Sequence, residues 1–263
     1  MPRFKSSDGI ELHYEVHGSG VLDVLLIHGM GGARATWDPV LEHWDRESLR
    51  AIIPDLRGHG RSGGDRESFN YPQLHGDLLA LAAEAGIESC VVVGFSGSCK
   101  NAVWFGAEAP ERTRGLVLIA PPGMDKVPIP REALAMFFDT LETTRDFPRE
   151  LDGWFTGKIG KHRGAIVRAF AETPRPILEA SAELWIHSSV VGQAIRVEGP
   201  VAVIAGTRDL NYPPDFQIQT TLHQLPKAEM ELLECGHFVP CEEPAATARS
   251  IGHFAAACHR RTK

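Results

Sequence analysis

The stretch CVVVGFSGSCKNA, residues 90–102, decides the reading of the chain. Residues 90–93 are a short apolar run, the pattern of a strand buried on both faces of a parallel sheet. The run leads straight into Gly94-Phe95-Ser96-Gly97-Ser98, and a helix-compatible segment follows. A serine on so tight a strand-to-helix turn is held in a strained backbone conformation, with its Oγ clear of the sheet. Small neighbours are needed because the helix passes close to the strand. The helix N-terminus adds positive potential and free N–H groups beside the same oxygen. The usual pattern of such a turn is G-x-S-x-G; here Ser98 holds the last position and Cys99 follows. Ser98 is read as a small stand-in for glycine.

Outward from this turn, similar apolar runs recur at 24–27, 51–53, 116–119, 201–205 and 230–233. Each reads as a strand buried on both faces. Helical patterns lie between them. Leu74, Leu78, Leu81 and Ala85 make one apolar stripe, and Ile251, Phe254, Ala255 and Cys258 another. Such alternation implies an α/β architecture with a doubly wound, mostly parallel sheet. Asp8-Gly9, between two extended segments within residues 3–17, signals a hairpin. One gap breaks the alternation. Residues 124–198 contain no good strand but carry two helical stripes, Leu134, Phe137, Phe138 and Leu141, then Leu178, Ala182 and Trp185. Pro121, Pro122, Pro128 and Pro130 mark the exit from the core. The expected organisation is a core of residues 1–123 and 199–263 with residues 124–198 inserted as a helical cap. That cap would sit over the C-terminal edge of the sheet, where open α/β sheets place their ligands.

Three further segments bear on the same edge. His28-Gly29-Met30-Gly31-Gly32 follows the strand at 24–27, and a glycine-rich loop there lets backbone N–H groups face a substrate oxygen. An oxyanion hole needs two donors, one from this loop and one from the residue after the nucleophile, which points to Met30 and Gly97. A serine hydroxyl also needs a base, and the base an orienting partner. Asp209 closes Gly206-Thr207-Arg208-Asp209 after one strand, and His237 lies in Glu234-Cys235-Gly236-His237-Phe238 after the next. Ser96, Asp209 and His237 therefore all follow C-terminal ends of strands, in the order Ser…Asp…His. His28 and His59, in glycine-rich turns, are read as structural hydrogen-bonding groups. The other histidines have no motif around them.

Composition excludes several classes. The chain has 263 residues, 43% hydrophobic and 23% charged, and a formal charge of −7, which fits a globular protein with a sizeable core. A mildly acidic chain without a basic run has no general attraction to nucleic acid or to anionic membranes. The N-terminus has no apolar core of a secretory signal, and no apolar stretch is long enough to span a bilayer. Cys90, Cys99, Cys235, Cys241 and Cys258 match no zinc or disulfide spacing, so free thiols in a reducing cytoplasm are expected. No metal-ligand constellation or dinucleotide fingerprint is present, so neither a metal nor an organic cofactor is expected. The expected partner is a small-molecule substrate, and the sequence carries no signal for an oligomeric state.

Taken in order, these segments resemble the α/β-hydrolase superfamily, in its serine-nucleophile branch with a helical cap. The matching pieces are His28 to Gly32, Asp55-Leu56-Arg57-Gly58-His59-Gly60-Arg61-Ser62, Gly94 to Ser98, Gly206 to Asp209, and Gly236 to Pro240. The resemblance spans about residues 10 to 257 and is weak only inside 124–198. It implies that residues 55–62 form a structural loop bordering the active site. It implies further that Ser96 attacks an ester or lactone carbonyl, that His237 shuttles the proton and that Asp209 holds the imidazole. Some cap-bearing relatives take their acid from the strand end where Asp125 stands, which makes Asp125 the rival to Asp209. Serine at the nucleophile position speaks against haloalkane dehalogenases and epoxide hydrolases, which use aspartate there. Phe238, where C–C hydrolases often carry Trp, speaks against those. C–C hydrolases, perhydrolases and cofactor-free dioxygenases still stay open as other chemistry of the same triad. So does a small-molecule receptor that retains it. Specificity would come from cap side chains such as Phe137, Phe138, Trp154, Phe155 and Trp185.

Overall fold

The computed structural model describes residues 2–144, 156 and 159–261. Its frame is an eight-stranded sheet in the order β1-β2-β4-β3-β5-β6-β7-β8. β1 (Arg3–Lys5) and β2 (Glu11–His17) are the antiparallel hairpin, and Gly9 supplies its left-handed turn residue at φ +84°. β2 joins the sheet antiparallel to β4 (Leu49–Pro54). β3 (Leu22–Ile27), β4, β5 (Cys90–Phe95), β6 (Thr113–Ile119), β7 (Val201–Gly206) and β8 (Glu229–Leu233) are mutually parallel. Each apolar run in the sequence falls inside one of these six strands.

The period of two along each strand divides its side chains between two cores. Leu25, Ile52 and Val92 face one layer, shared with Leu74 and Leu78 of α1 (Tyr71–Glu84) and Val103 and Phe105 of α2 (Ser98–Glu108). Val24, Leu26, Val91 and Val93 face the other, shared with Ile251, Ala255 and Cys258 of the C-terminal helix Pro244–Arg261. One strand departs from the sequence expectation. β8 is not buried on both faces: it pairs only with β7, and Leu232 is 52% exposed. An edge strand lacks a neighbour on one side, so Glu229 and Glu231 can stay in water there.

β3 lies between β4 and β5 although β4 follows it in the chain. The winding direction therefore reverses at β3, and the C-terminal ends of β3 and β5 open a crevice at that switch point. The loop 28–32 and Ser96 leave the sheet side by side there.

Among the described residues between β6 and β7 are three longer helices, α3 (Arg131–Thr144), α4 (Arg163–Glu172) and α5 (Arg175–His187). Phe138 and Leu141 of α3, Leu178 and Ala182 of α5 and Phe170 of α4 share one apolar cluster. α4 was not marked by a stripe in the sequence; Ile166 and Phe170 alone are buried along it. The base of the insertion is tied to itself. Val190 N–H donates to Met124 O and Val127 N–H to Ile186 O, both at 2.8 Å. The buried Lys100 of α2 donates from Nζ to Asp125 O and to Ser188 O, each at 2.8 Å, so one ammonium holds the outgoing and the returning chain. Burial pulls its pKa down to about 8.

The loop 55–62 is held by a buried ion pair. Arg57, 1% exposed, donates from Nε and Nη2 to the two carboxylate oxygens of Asp77 at 2.7 and 2.6 Å, and from Nη1 to Asp8 and to Ser68 O. Removing one partner of a buried pair strands the other charge. Asp77→Ala is therefore expected to destabilise the fold by about 3–5 kcal/mol, measured as a lower urea midpoint at unchanged m-value. A loss within about 0.5 kcal/mol, the ordinary range for surface changes, would show that Asp8 and Ser68 suffice.

Candidate active site

Ser96 follows the last residue of β5 with φ +54°, the left-handed region that side-chain-bearing residues rarely adopt. Such a conformation carries about 1–3 kcal/mol of strain and persists only where the surroundings impose it. They do so here. Ser96 N–H donates to Ile119 O at 2.8 Å, tethering the turn to β6, while α2 begins two residues later. The return of the helix explains Gly94: a Cβ there would lie 2.4 Å from Ser98 O. Ala120, next to Ser96 across the β5–β6 pair, has φ +49° and is the other non-glycine residue of positive φ among the described residues.

The structure brings the three expected side chains together. His237 Nε2 is 2.9 Å from Ser96 Oγ, and His237 Nδ1 is 2.8 Å from Asp209 Oδ2. Asp209 and His237 are both fully buried. Burial raises the Asp209 carboxyl, but the facing imidazole and the Tyr212 and Asn211 N–H groups outweigh it and hold its pKa below the ordinary value. Those two amides donate to Oδ1 at 3.0 and 2.8 Å. An ionised carboxylate only accepts, so the imidazole proton belongs on Nδ1 and Nε2 is left to accept from the Ser96 hydroxyl. The rival acid is elsewhere. Asp125 is exposed at the base of the insertion, where its carboxylate accepts from Lys126 N–H and its carbonyl from Lys100.

The loop after β3 reaches the same point. His28 is fully buried and structural: Nδ1 donates to Gly29 O and Nε2 accepts from Leu56 N–H. His59 likewise donates to Arg57 O. Among the described residues, the N–H groups of Met30 and Gly97 make no hydrogen bond within the chain, and both residues line a cavity with Ser96. That cavity holds about 140 Å³. Its far walls are Ile129, Leu134, Phe137 and Trp185 of the insertion, and among the described residues no charged side chain lines it. Of the cap aromatics expected to shape specificity, Phe137 and Trp185 do line it. Phe138 is instead buried in the insertion's own core. Trp154 and Phe155 lie outside the described residues.

Three aromatic rings stand against His237, and Tyr212 among them was not singled out in the sequence. Tyr212 lines the cavity and sets its ring edge-on to His237 at 5.4 Å between centroids; burial pushes its phenol pKa up. Phe95 and Phe238 flank the same imidazole at 5.5 and 5.8 Å. An aromatic three residues after Asp209 was the available signal. The reading of Ser98 needs correction. It is small enough for the turn, but its hydroxyl also donates to His28 O and accepts from Asn101 Nδ2, bonds a glycine cannot make. Gly97 meets a different neighbour from Gly94. A Cβ there would lie 2.3 Å from the Trp185 indole, so it is the insertion, not the neighbouring strand, that requires glycine.

The model of the alpha/beta hydrolase family matches residues 24–250. An uncharacterised protein of Mycobacterium tuberculosis is 25% identical over 271 residues, covering 92% of this chain and 77% of that protein. The enol-lactonase from Burkholderia xenovorans LB400 superposes with a TM-score of 0.84 at 21% identity, over 97% of this chain and 100% of its own. A thermophilic esterase from Thermogutta terrifontis reaches 0.82 at 23% identity, over 98% of each chain. Identities this low establish a common fold and leave the reaction to the site. The family match begins inside β3 and ends inside the C-terminal helix, taking in the switch point, the Ser96 turn and the strands that carry Asp209 and His237, and the chain belongs to the alpha/beta hydrolase family.

Proposed function

We propose that the chain is a serine hydrolase that cleaves a small, uncharged carboxylic ester or lactone through an acyl-enzyme at Ser96. The observation that carries this reading is the continuous line Ser96–His237–Asp209, ending beside two unpaired N–H groups in one apolar cavity. As Ser96 Oγ attacks the carbonyl carbon, its proton passes to His237 Nε2. Negative charge gathers on the carbonyl oxygen, which Met30 and Gly97 N–H are placed to receive. Collapse expels the alcohol, which takes the proton from His237, and leaves the acyl group on Ser96. Water then attacks the acyl-enzyme, gives its proton to Nε2, and the acid leaves as Ser96 recovers that proton. In this reading residues 124–198 act as a cap. They exclude water from the donors and limit the substrate to what the cavity holds. Five buried cysteines, with no disulfide among the described residues, fit a cytoplasmic setting.

Ser96→Ala is expected to lower kcat by about 10⁶-fold, the usual loss of a triad nucleophile, with the fold intact by circular dichroism. Retention of a tenth of wild-type turnover, or fluorophosphonate labelling at another residue, would defeat the assignment. Oxygen uptake matching product would point to a dioxygenase instead.

Asp209→Asn should cost about 10⁴-fold in kcat by favouring the wrong tautomer, and Asp125→Asn should leave kcat within a few-fold. The reverse ranking would move the acid to Asp125.

The pH dependence follows from one proton. A protonated imidazole cannot accept from Ser96, so kcat/KM should fall as pH falls. Asp209 is held ionised below the ordinary carboxylate range and adds no second proton near neutrality. The acid limb of log kcat/KM should therefore have a slope of about one. A slope of two, or rates that rise with acid, would contradict the roles given.

The uncharged cavity leads to a substrate ranking: compact or cyclic neutral esters first, carboxylate-bearing esters and long-chain triglyceride last. Preference for the anionic or long-chain members of a graded ester panel would count against the pocket assignment.

A further inference from the structure

We propose that Ser98, Asn101 and Trp185 form a positioning relay that ties the wall of the cavity to both oxyanion donors. This rests on the hydrolase reading and refines how the same site works. The relay is a line of three hydrogen bonds running in one direction. Trp185 Nε1–H donates to Asn101 Oδ1 at 3.2 Å, Asn101 Nδ2–H donates to Ser98 Oγ at 3.2 Å, and the Ser98 hydroxyl donates to His28 O. All three side chains are at least 97% buried. Hydrogen bonds in such a series polarise one another, and the low local dielectric strengthens each.

What matters is where the two ends lie. His28 is the first residue after β3, two before Met30, so the relay ends on the loop that carries one donor. The other donor is reached by packing: the Trp185 indole lies so close over Gly97 that a Cβ there would approach to 2.3 Å. Trp185 also faces the cavity. A single indole thus touches substrate space, packs on one donor and is bonded through two side chains to the loop of the other. It belongs to α5, some 84 residues along the chain from Asn101. The seating of the insertion against the core therefore sets the spacing of the two donors. Glycine at position 98 would leave the turn intact and break this line in the middle. Ser98, Asn101 and Trp185 are positioning residues; none of them need touch the reacting atoms.

The test uses the full chain with Ser98→Ala, Trp185→Phe and the double variant, assayed with p-nitrophenyl acetate. A heteronuclear spectrum follows the Trp185 indole N–H, assigned by its loss in Trp185→Phe. Each single variant should lower kcat about five- to tenfold with KM within about twofold, the loss of one well-placed hydrogen bond. The double variant should be no slower than the slower single, since both break one line. Ser98→Ala should shift the Trp185 indole resonance, since Asn101 links the two by hydrogen bonds. Independent, multiplying losses would overturn the proposal. So would an unmoved indole resonance, or losses confined to melting temperature and KM with kcat unchanged, the behaviour of side chains that only fill the core. A wild-type chain that turns over no ester would bring down the hydrolase reading and the relay's role together. The indole shift would then still report whether the three residues are linked.

Discussion

A side chain held in the left-handed region at Ser96 is the constraint on which the site depends. The turn from β5 into α2 must be tight enough to lift Oγ off the sheet, and that tightness requires glycine at 94. Gly97, in the same turn, lines the crevice, and its N–H has no hydrogen-bond partner among the described residues. Strain of this kind is unstable alone. Parallel pairing with β3 and β6 stabilises it, along with the Ser96–Ile119 hydrogen bond and the buried α2. The chemistry proposed for this serine thus draws on the strength of the central sheet.

Electrostatics then assigns the protons. The Asp209 carboxylate spends both oxygens on donors, one on two backbone amides and one on His237. That arrangement keeps it ionised while buried, and an ionised acceptor admits one imidazole tautomer. Three aromatic rings, Phe95, Tyr212 and Phe238, pack around His237. The apolar cavity above supplies low dielectric, in which the unpaired Met30 and Gly97 dipoles act more strongly than in water.

Legibility in the sequence followed locality. Strands buried on both faces are continuous apolar runs, and β3 to β7 were visible for that reason. β8 was visible too, but its exposure was not, because being an edge is a property of strand order and not of a strand's own residues. Ser96, Asp209 and His237 could be found since each sits just past a strand in a short motif. The contacts of Lys100 and Tyr212, and those of Asn101 with Trp185 and Ser98 with His28, could not. These partners lie far off in sequence, as Ser188 does from Lys100, and only packing brings them near. α4 escaped because two buried residues four apart are too few to mark a helix.

The tie at the base of the insertion has an evolutionary consequence. Met124 with Val190, Val127 with Ile186 at the end of α5, and Lys100 with Asp125 and Ser188 close the outgoing chain, before α3 begins, onto the returning one. What lies beyond that tie is a loop whose ends are already joined. The entropy of closing such a loop grows only with the logarithm of its length. Segments of different length and shape can therefore be exchanged above it with little effect on the sheet below. The insertion is in this sense a replaceable cassette. Phe170, Ile177 and Trp185, which press on Gly31, Gly58 and Gly97, are among the side chains that limit what may take its place.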